Sequence, residues 1–157
     1  MSYLMLAIDF NDASIRAVDY VGRMLDGRSA GRVLIAMVAK GLPSGSSALR
    51  ALEGAVPEPE LHGDADCSKE LVSAQELIQR AAARLLGCGL EASQISSVIL
   101  PDCGGVPQSL LDEAHSAGCD TLVVGRREDA HLHHLLLGSV SSSLIEKASG
   151  VTIWVVA

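Results

Sequence analysis

Two glycines and two serines near the C-terminus have the types and spacing of a phosphate-binding loop. Gly125 ends the aliphatic run Thr121–Val124, and Gly138-Ser139-Val140-Ser141 opens a segment with helical periodicity. A glycine at the end of a strand lets the backbone approach a ligand closely, because it has no Cβ. A glycine and a serine at the start of a helix supply free N–H groups, a hydroxyl and the positive end of the helix dipole. These residues therefore predict a phosphate site.

A carboxylate near the N-terminus is the second candidate functional group. Asp9 follows the aliphatic run Tyr3–Ile8 directly and precedes an amphipathic segment. It has two interpretations, a ligand-contacting acid or an acid that caps the following helix. Ser139 and Ser141 also have two roles, because a phosphate would use the same helix end that an N-cap serine stabilises.

Five aliphatic runs, rich in β-branched residues or leucine and bounded by turn-forming residues, predict the strands that position these groups. They are Tyr3–Ile8, Arg32–Val38, Ile95–Leu100, Thr121–Val124 and Val151–Val156.

Segments between the runs have helical spacing of apolar residues and recognisable end signals. The first helix has cap candidates Asn11 and Asp12, the second is expected to begin behind Ser68, Pro107 and Gly118 bracket the third, and the last spans Ser139 to Gly150.

Alternation of strands with helices predicts one α/β domain over residues 1–157. The predicted architecture is a three-layer sandwich with a five-stranded parallel sheet, doubly wound by right-handed crossovers. In such sheets ligands bind at the carboxyl ends of the strands, where the strand order reverses. The expected ligand positions are therefore the stretches just after the strands: Asp9–Asn11, Val38–Gly41, Pro101–Gly105 and Gly125–Ser139.

The stretch from Gly41 to Asp66 interrupts this rhythm. It is rich in Gly, Ser, Pro and acidic residues, with a weak helical patch around Ala48–Leu52. It predicts a long variable insertion between the second strand and the second helix.

Composition excludes several classes of protein. An apolar fraction of 48% indicates a folded core, whereas 3% aromatic residues and a net charge of −7 argue against a nucleic-acid partner. No apolar segment has the length of a membrane span. Asp9 interrupts the short apolar run at the N-terminus, which lacks the basic region and cleavage site of a signal peptide. The expected compartment is therefore the cytoplasm.

Cysteines and histidines give weaker signals. Cys67, Cys88, Cys103 and Cys119 lack C-x-x-C spacing, so reduced thiols are expected. The cluster of His131, His133 and His134 has no further ligand at matched spacing, which favours solvated side chains over a metal site.

Two alternative nucleotide or phosphate folds find little support. Asp9 with Lys147 would suit a phospho-acceptor receiver domain, but Lys147 falls in a helix rather than at the end of a strand. The sequence has no G-x-x-x-x-G-K-[ST] loop, and Gly87-Cys88-Gly89 closes a helix, so it is not a dinucleotide fingerprint.

The chain resembles the universal stress protein family over essentially its whole length. The family signature is Gly, two residues, Gly, nine residues, Gly, then Ser or Thr, and Leu135-Leu-Leu-Gly-Ser-Val-Ser141 matches its second half closely. The final strand Val151–Val156 and the N-terminal Leu6-Ala-Ile-Asp-Phe-Asn11 are similar to the family as well.

The resemblance implies a regulatory module for stress response that binds ATP or another adenine nucleotide, with or without Mg²⁺. In nucleotide-binding members the acid after the first strand contacts the adenosine part, and the backbone at the end of the second strand meets adenine. The positions it assigns to nucleotide binding are Ala7, Asp9, Val38, Val124, Gly125, Glu128, Gly138, Ser139, Val140 and Ser141. It also implies a homodimer through the aliphatic strand 151–156, which is expected at a sheet edge.

One position departs from the family pattern. Glu128 stands where the signature has its second glycine, and a carboxylate there would repel phosphates. Arg126 and Arg127 could offset that charge. Two alternatives therefore stay open, a dimeric partner-binding module without nucleotide and a slow ATP hydrolase, although no residue pair presents itself as a base for water.

Overall fold

The structure is a computed structural model of the chain, and it describes residues 2–26, 30–42, 48–51, 65–127 and 139–157. Six strands and four α-helices follow one another along these segments, besides the short 3₁₀ helix Ala92–Gln94. In chain order they are β1 (Tyr3–Ala7), α1 (Asp12–Leu25), β2 (Arg32–Ala39), β3 (Leu49–Ala51), α2 (Ala65–Gly87), β4 (Ile95–Pro101), α3 (Val106–Ala117), β5 (Thr121–Gly125), α4 (Ser139–Lys147) and β6 (Thr152–Val156).

The strands form one sheet in the order β3-β4-β2-β1-β5-β6. Strands β4, β2, β1, β5 and β6 are mutually parallel, whereas β3 pairs antiparallel with β4. From β1 the chain adds strands first towards β4 and later towards β6, so the strand order reverses between β1 and β5. That reversal is the place where α/β sheets of this kind bind ligands.

Helices cover both faces of the sheet because alternate strand residues point to opposite sides. Leu4 and Leu6 of β1, with Ile8 just after it, belong to the core beneath α1 and α2. Met5 and Ala7 belong to the second core, beneath α3 and α4. The predicted class, a parallel α/β sheet wound on both faces, is confirmed.

Local signals account for several helix ends. The Asn11 side chain accepts a hydrogen bond from the Ala13 N–H, so Asn11 is the N-cap of α1 as its type predicts. Gly118 ends α3 with φ 72°, a left-handed conformation that suits glycine.

Two predictions about the insertion region were wrong. The helical patch around Ala48–Leu52 is a strand from Leu49 to Ala51, because pairing with the edge of β4 supplies backbone hydrogen bonds that a five-residue pattern does not reveal. Helix α2 begins at Ala65 rather than behind Ser68. The sheet thus has a sixth, antiparallel strand in addition to the five predicted.

Residues 43–47 and 52–64 of the predicted insertion lie outside the described part of the chain. Within the described segments, no helix is both long and apolar enough to cross a membrane.

Candidate functional site

A cavity of about 590 Å³ lies over the carboxyl ends of β1, β2 and β5, beside the first residues of α4. Its size is within the range of small-molecule sites, about 300–1,000 Å³. Residues from these elements, from the segments after the strands and from α1, α2 and α3 line it: Ala7, Ile8, Asp9, Phe10, Asn11, Ser14, Met37, Val38, Lys40, Glu70, Val106, Leu110, Val124, Gly125, Arg127, Ser139, Val140 and Ser141.

Most residues predicted for nucleotide binding meet in this one cavity. Those that line it are Ala7, Asp9, Val38, Val124, Gly125, Ser139, Val140 and Ser141. The other two, Glu128 and Gly138, lie outside the described residues, as do His131, His133 and His134. Residues far apart in the sequence therefore converge because their strands end at the same edge of the sheet.

Asp9 stabilises the turn between β1 and α1 by hydrogen bonds. Its Oδ1 accepts hydrogen bonds from the Asn11 N–H and the Ser14 hydroxyl, both at 2.9 Å. Its own backbone N–H donates to the Ser14 hydroxyl at 2.8 Å. Since Asn11 is the N-cap, Asp9 is not the capping residue of α1. Its second carboxylate oxygen, Oδ2, binds other partners.

Those other partners come from Arg127, two residues beyond β5. Arg127 donates from Nε to Asp9 Oδ2 at 3.1 Å, and its Nη2 forms an ion pair with the same oxygen. The two side chains are 47% and 39% exposed, so the ion pair lies at the mouth of the cavity rather than in its interior.

The pKa of Asp9 reflects these contacts. Burial raises the pKa, but the hydrogen bonds from Arg127, the Asn11 N–H and the Ser14 hydroxyl, with the Arg127 charge, outweigh it. The net effect is a pKa below the usual 3.8. Asp9 is therefore ionised at neutral pH and presents a carboxylate to the cavity.

The backbone leading to Arg127 is held from two sides. The Arg126 N–H donates to the Val156 carbonyl of β6 at 2.7 Å. The Arg126 carbonyl accepts a hydrogen bond from Arg16 of α1 at 3.2 Å. These contacts place the Arg127 backbone between the end of the sheet and the start of α1, within reach of Asp9.

Gly125 has a structural role that its position alone did not show. A Cβ at this residue would collide with the Ala13 carbonyl and approach the Ala13 Cβ to 2.9 Å. The glycine therefore lets the end of β5 pass close to the first turn of α1. The sequence explains Gly125 by the close approach of a ligand to the backbone. The packing of β5 against α1 already requires a glycine at this position.

The start of α4 supplies the polar groups expected for a phosphate. Ser139 is exposed, Ser141 is buried with 3% exposure, and both line the cavity. The first N–H groups of a helix lack intrahelical partners and carry the positive end of its dipole. This end of the cavity can therefore stabilise an anion.

Several cavity residues are not singled out by the sequence. Phe10, which is 59% exposed, Lys40 and Arg127 fall within three of the strand-end stretches expected to meet a ligand, whereas no residue of the fourth, Pro101–Gly105, lines the cavity. Ser14 and Glu70 lie on helices and had no comparable signal. The ion pair of Arg127 with Asp9 depends on the approach of β5 to α1.

The weaker sequence signals give no second site in the described segments. There, no group of three His, Cys, Asp or Glu side chains is placed to hold a metal ion. Cys88, Cys103 and Cys119 are free thiols. Lys147 is the last residue of α4 and is not a lining residue of the cavity, unlike the lysine of a receiver domain.

Comparisons with known proteins agree on one family. The model of the universal stress protein family matches residues 2–156. The chain has no match among curated protein sequences.

Solved structures with the same fold include three that illustrate its range. A universal stress protein from Archaeoglobus fulgidus has a TM-score of 0.69 and 16% identity, covering 100% of this chain and 94% of its own. A universal stress protein in complex with cAMP has a TM-score of 0.66 and 23% identity, with coverages of 99% and 97%. A family protein from Arabidopsis thaliana with AMP bound has a TM-score of 0.61 and 13% identity, with coverages of 99% and 91%.

Proposed function

Because the chain belongs to the universal stress protein family, we propose that it is a regulatory module that binds an adenine nucleotide. Binding of ATP, with or without Mg²⁺, and a role in stress response are parts of this proposal. Its ligand would occupy the cavity at the carboxyl ends of β1, β2 and β5.

One observation carries the proposal: a single cavity of about 590 Å³ gathers a carboxylate, a guanidinium and the start of a helix from separate elements. Asp9 would meet the adenosine part, and the backbone at Val38 would meet adenine. The first turn of α4, with Ser139 and Ser141, would hold phosphate. The same division of roles is implied by the resemblance to nucleotide-binding family members.

Ligands of structural relatives support the adenine part of the proposal. One relative is a complex with cAMP, and another has AMP bound. Both ligands contain adenine, ribose and phosphate, which match the polar groups of the cavity in kind. Mg²⁺ in nucleotide sites is held largely by the phosphates themselves, so the proposal does not require a cluster of protein carboxylates.

The first experiment identifies any nucleotide that the purified protein carries. The protein is denatured, and released compounds are identified by chromatography and mass, followed by titration with ATP, AMP and cAMP with and without Mg²⁺. We expect at least one adenine nucleotide to bind. No carried-over nucleotide and no binding at millimolar concentration would instead favour the partner-binding module without nucleotide.

A charge substitution tests the predicted phosphate position. Ser139→Asp places a negative charge at the start of α4 and should weaken AMP binding by about fivefold or more, because like charges about 4 Å apart repel by about 1 kcal/mol even in water. Ser142→Asp is the matched control, since Ser142 is exposed on the same helix but is not a lining residue of the cavity. Equal losses in the two variants would argue against phosphate at this helix end.

The proposal includes a homodimer formed through β6. Among the strands that the structure describes, β6 is the last of the sheet and pairs with β5. An aliphatic edge strand leaves a row of backbone groups available for pairing with a second copy. The sequence of the strand, Thr152–Val156, is aliphatic apart from Thr152 and Trp154.

A further inference from the structure

The carboxylate of Asp9 has its hydrogen-bonding capacity filled. Oδ1 accepts from the Asn11 N–H and the Ser14 hydroxyl, and Oδ2 accepts from Nε and Nη2 of Arg127. An ionised carboxylate offers about four acceptor positions in all. A ligand hydroxyl can therefore bind Asp9 only if one of these donors leaves.

Arg127 is the donor best placed to leave. Asn11 and Ser14 belong to the turn and first helical turn next to Asp9, and Ser14 is buried with 5% exposure. Ser14 is also fixed by accepting the Asp9 N–H. Arg127 is a long side chain from a different segment, and nearly half of it is exposed. Exposed ion pairs of this kind are weak enough to be exchanged for another partner.

We propose that Arg127 occupies the Asp9 carboxylate until a phosphate takes the place of Asp9, so that the cavity selects nucleotides over nucleosides. We call this Arg127–Asp9 contact the latch. This inference rests on the proposed adenine-nucleotide function and names the residue that sets its specificity. A nucleoside must break the Asp9–Arg127 pair and brings no anion to replace Asp9 as the partner of the guanidinium. A nucleotide brings a phosphate that takes the place of Asp9 as the partner of Arg127.

The chemistry of the cavity fits this exchange of partners. The planar guanidinium donates in a fork that matches both carboxylate and phosphate, so either anion can satisfy it. Arg127, Ser139 and Ser141 line the same cavity, which places the latch together with the predicted phosphate groups. Release of Arg127 then frees Oδ2 of Asp9 for a ribose hydroxyl. Phosphate binding and adenosine binding are thereby coupled through one side chain.

The test compares the affinities of adenosine and AMP by calorimetric titration. In Arg127→Ala we expect adenosine to bind up to about fivefold more tightly than in the wild type, since Asp9 is then open. AMP should bind more weakly, because the phosphate loses a charged partner. The preference for AMP over adenosine should therefore fall in this variant from both directions.

Lys40→Ala is the matched comparison, because Lys40 is a second cationic residue lining the cavity. If it contributes only positive charge, its removal weakens AMP binding without any gain for adenosine. An unchanged or weaker affinity for adenosine in Arg127→Ala would overturn the latch. So would identical effects of the two substitutions on both ligands.

A measurement without ligand separates the latch from the proposed function. The pKa of the Asp9 carboxyl, followed by ¹³C NMR, should rise in Arg127→Ala and less so in Lys40→Ala.

If AMP binds the wild type but the preference for AMP over adenosine survives in Arg127→Ala, only the latch is wrong. If neither protein binds adenosine, AMP, cAMP or ATP, the proposed function and the selectivity inferred from it both fail, whatever the NMR result.

Discussion

Asp9 shows how a single carboxylate can serve both the fold and a ligand site. Its hydrogen bonds to Asn11 and Ser14 hold the turn before α1, and its pair with Arg127 links that turn to the segment after β5. Because these contacts favour the ionised form, the folded-state pKa is below 3.8 despite partial burial. The charge of Asp9 therefore stabilises the folded state whenever the carboxyl is ionised.

This lowered pKa predicts a specific dependence of stability on pH. A carboxyl with a depressed folded-state pKa contributes stability that is complete above the unfolded-state value, near 3.8, and is lost as the pH falls through the folded-state value. The wild type should thus exceed Asp9→Asn in stability at neutral pH, by less than about 1 kcal/mol because the ion pair is partly exposed. The difference should shrink in acid.

Urea unfolding from neutral to acidic pH measures this contribution. Glu146→Gln, which removes an exposed carboxylate from α4, provides the comparison for loss of a negative charge in general. A gap between wild type and Asp9→Asn that grows as the pH falls would contradict the assignment.

The cysteines give a second prediction at this scale. Burial raises the pKa of Cys119 to about 11, and the nearby carboxylates of Glu113 and Asp120 add to the effect. Cys103 is exposed. Because the thiolate is the reactive form, N-ethylmaleimide at about pH 7.5 should modify Cys103 well before Cys119 in the native protein.

Peptide mapping by mass spectrometry can follow both sites with time. The same reaction in denaturant is the control, since unfolding removes the burial that protects Cys119. Equal native rates would show that Cys119 is more accessible than the structure indicates.

Contacts between elements decide the geometry around the cavity. Strand β5 can end beside α1 only because Gly125 leaves room for the Ala13 backbone. The same approach brings Arg127 to Asp9. A glycine that belongs to the ligand-binding signature of a family can thus be required by packing alone, whether or not a ligand binds.

Gly125→Ala should therefore destabilise the protein in the absence of any ligand. The added methyl group forces β5 and α1 apart, which typically costs about 1–3 kcal/mol. Gly87→Ala is the matched control, because a Cβ there meets nothing within 4 Å and alanine favours a helix.

Urea-induced unfolding followed by circular dichroism compares the two variants. A Gly125→Ala protein as stable as the wild type would mean that the first turn of α1 can shift without cost. In that case a ligand would again be the better explanation for the glycine.

At the scale of the whole molecule, β6 provides the edge for the proposed dimer. Thr152 donates to the Asp120 carbonyl and the Val156 carbonyl accepts from Arg126, so alternate residues 152, 154 and 156 direct their backbone groups towards β5. By the same alternation, Ile153 and Val155 direct theirs to the side of β6 that faces away from β5. The backbone groups of these two residues would form the contact with a second copy.

Ile153→Pro tests this interface, because proline removes an outward N–H without removing a hydrogen bond to β5. We expect the wild type to sediment as a dimer and the variant as a monomer, with far-ultraviolet circular dichroism confirming that the variant is folded. A monomeric wild type, or a folded variant that remains dimeric, would contradict dimerisation through β6.

Sequence pattern was sufficient for the α/β class, the five parallel strands and the cavity positions at strand ends. Aliphatic runs, helical spacing and caps such as Asn11 depend on a few neighbouring residues, so they can be recognised in the sequence alone. The predicted strand ends differ from the observed ones by about one residue, as for β1, which ends at Ala7 rather than Ile8. The match to the family signature required no coordinates either.

The sixth strand and the contacts between site residues depend on long-range packing. Strand β3 exists because the edge of β4 accepts it, and the Arg127–Asp9 pair exists because Gly125 lets β5 approach α1. The first of these contacts joins residues 46 to 50 positions apart and the second joins residues 118 positions apart, so no local preference encodes them. The chain alone thus predicted residues that line one cavity, whereas their mutual contacts, including the four hydrogen bonds to the Asp9 carboxylate, depend on the folded structure.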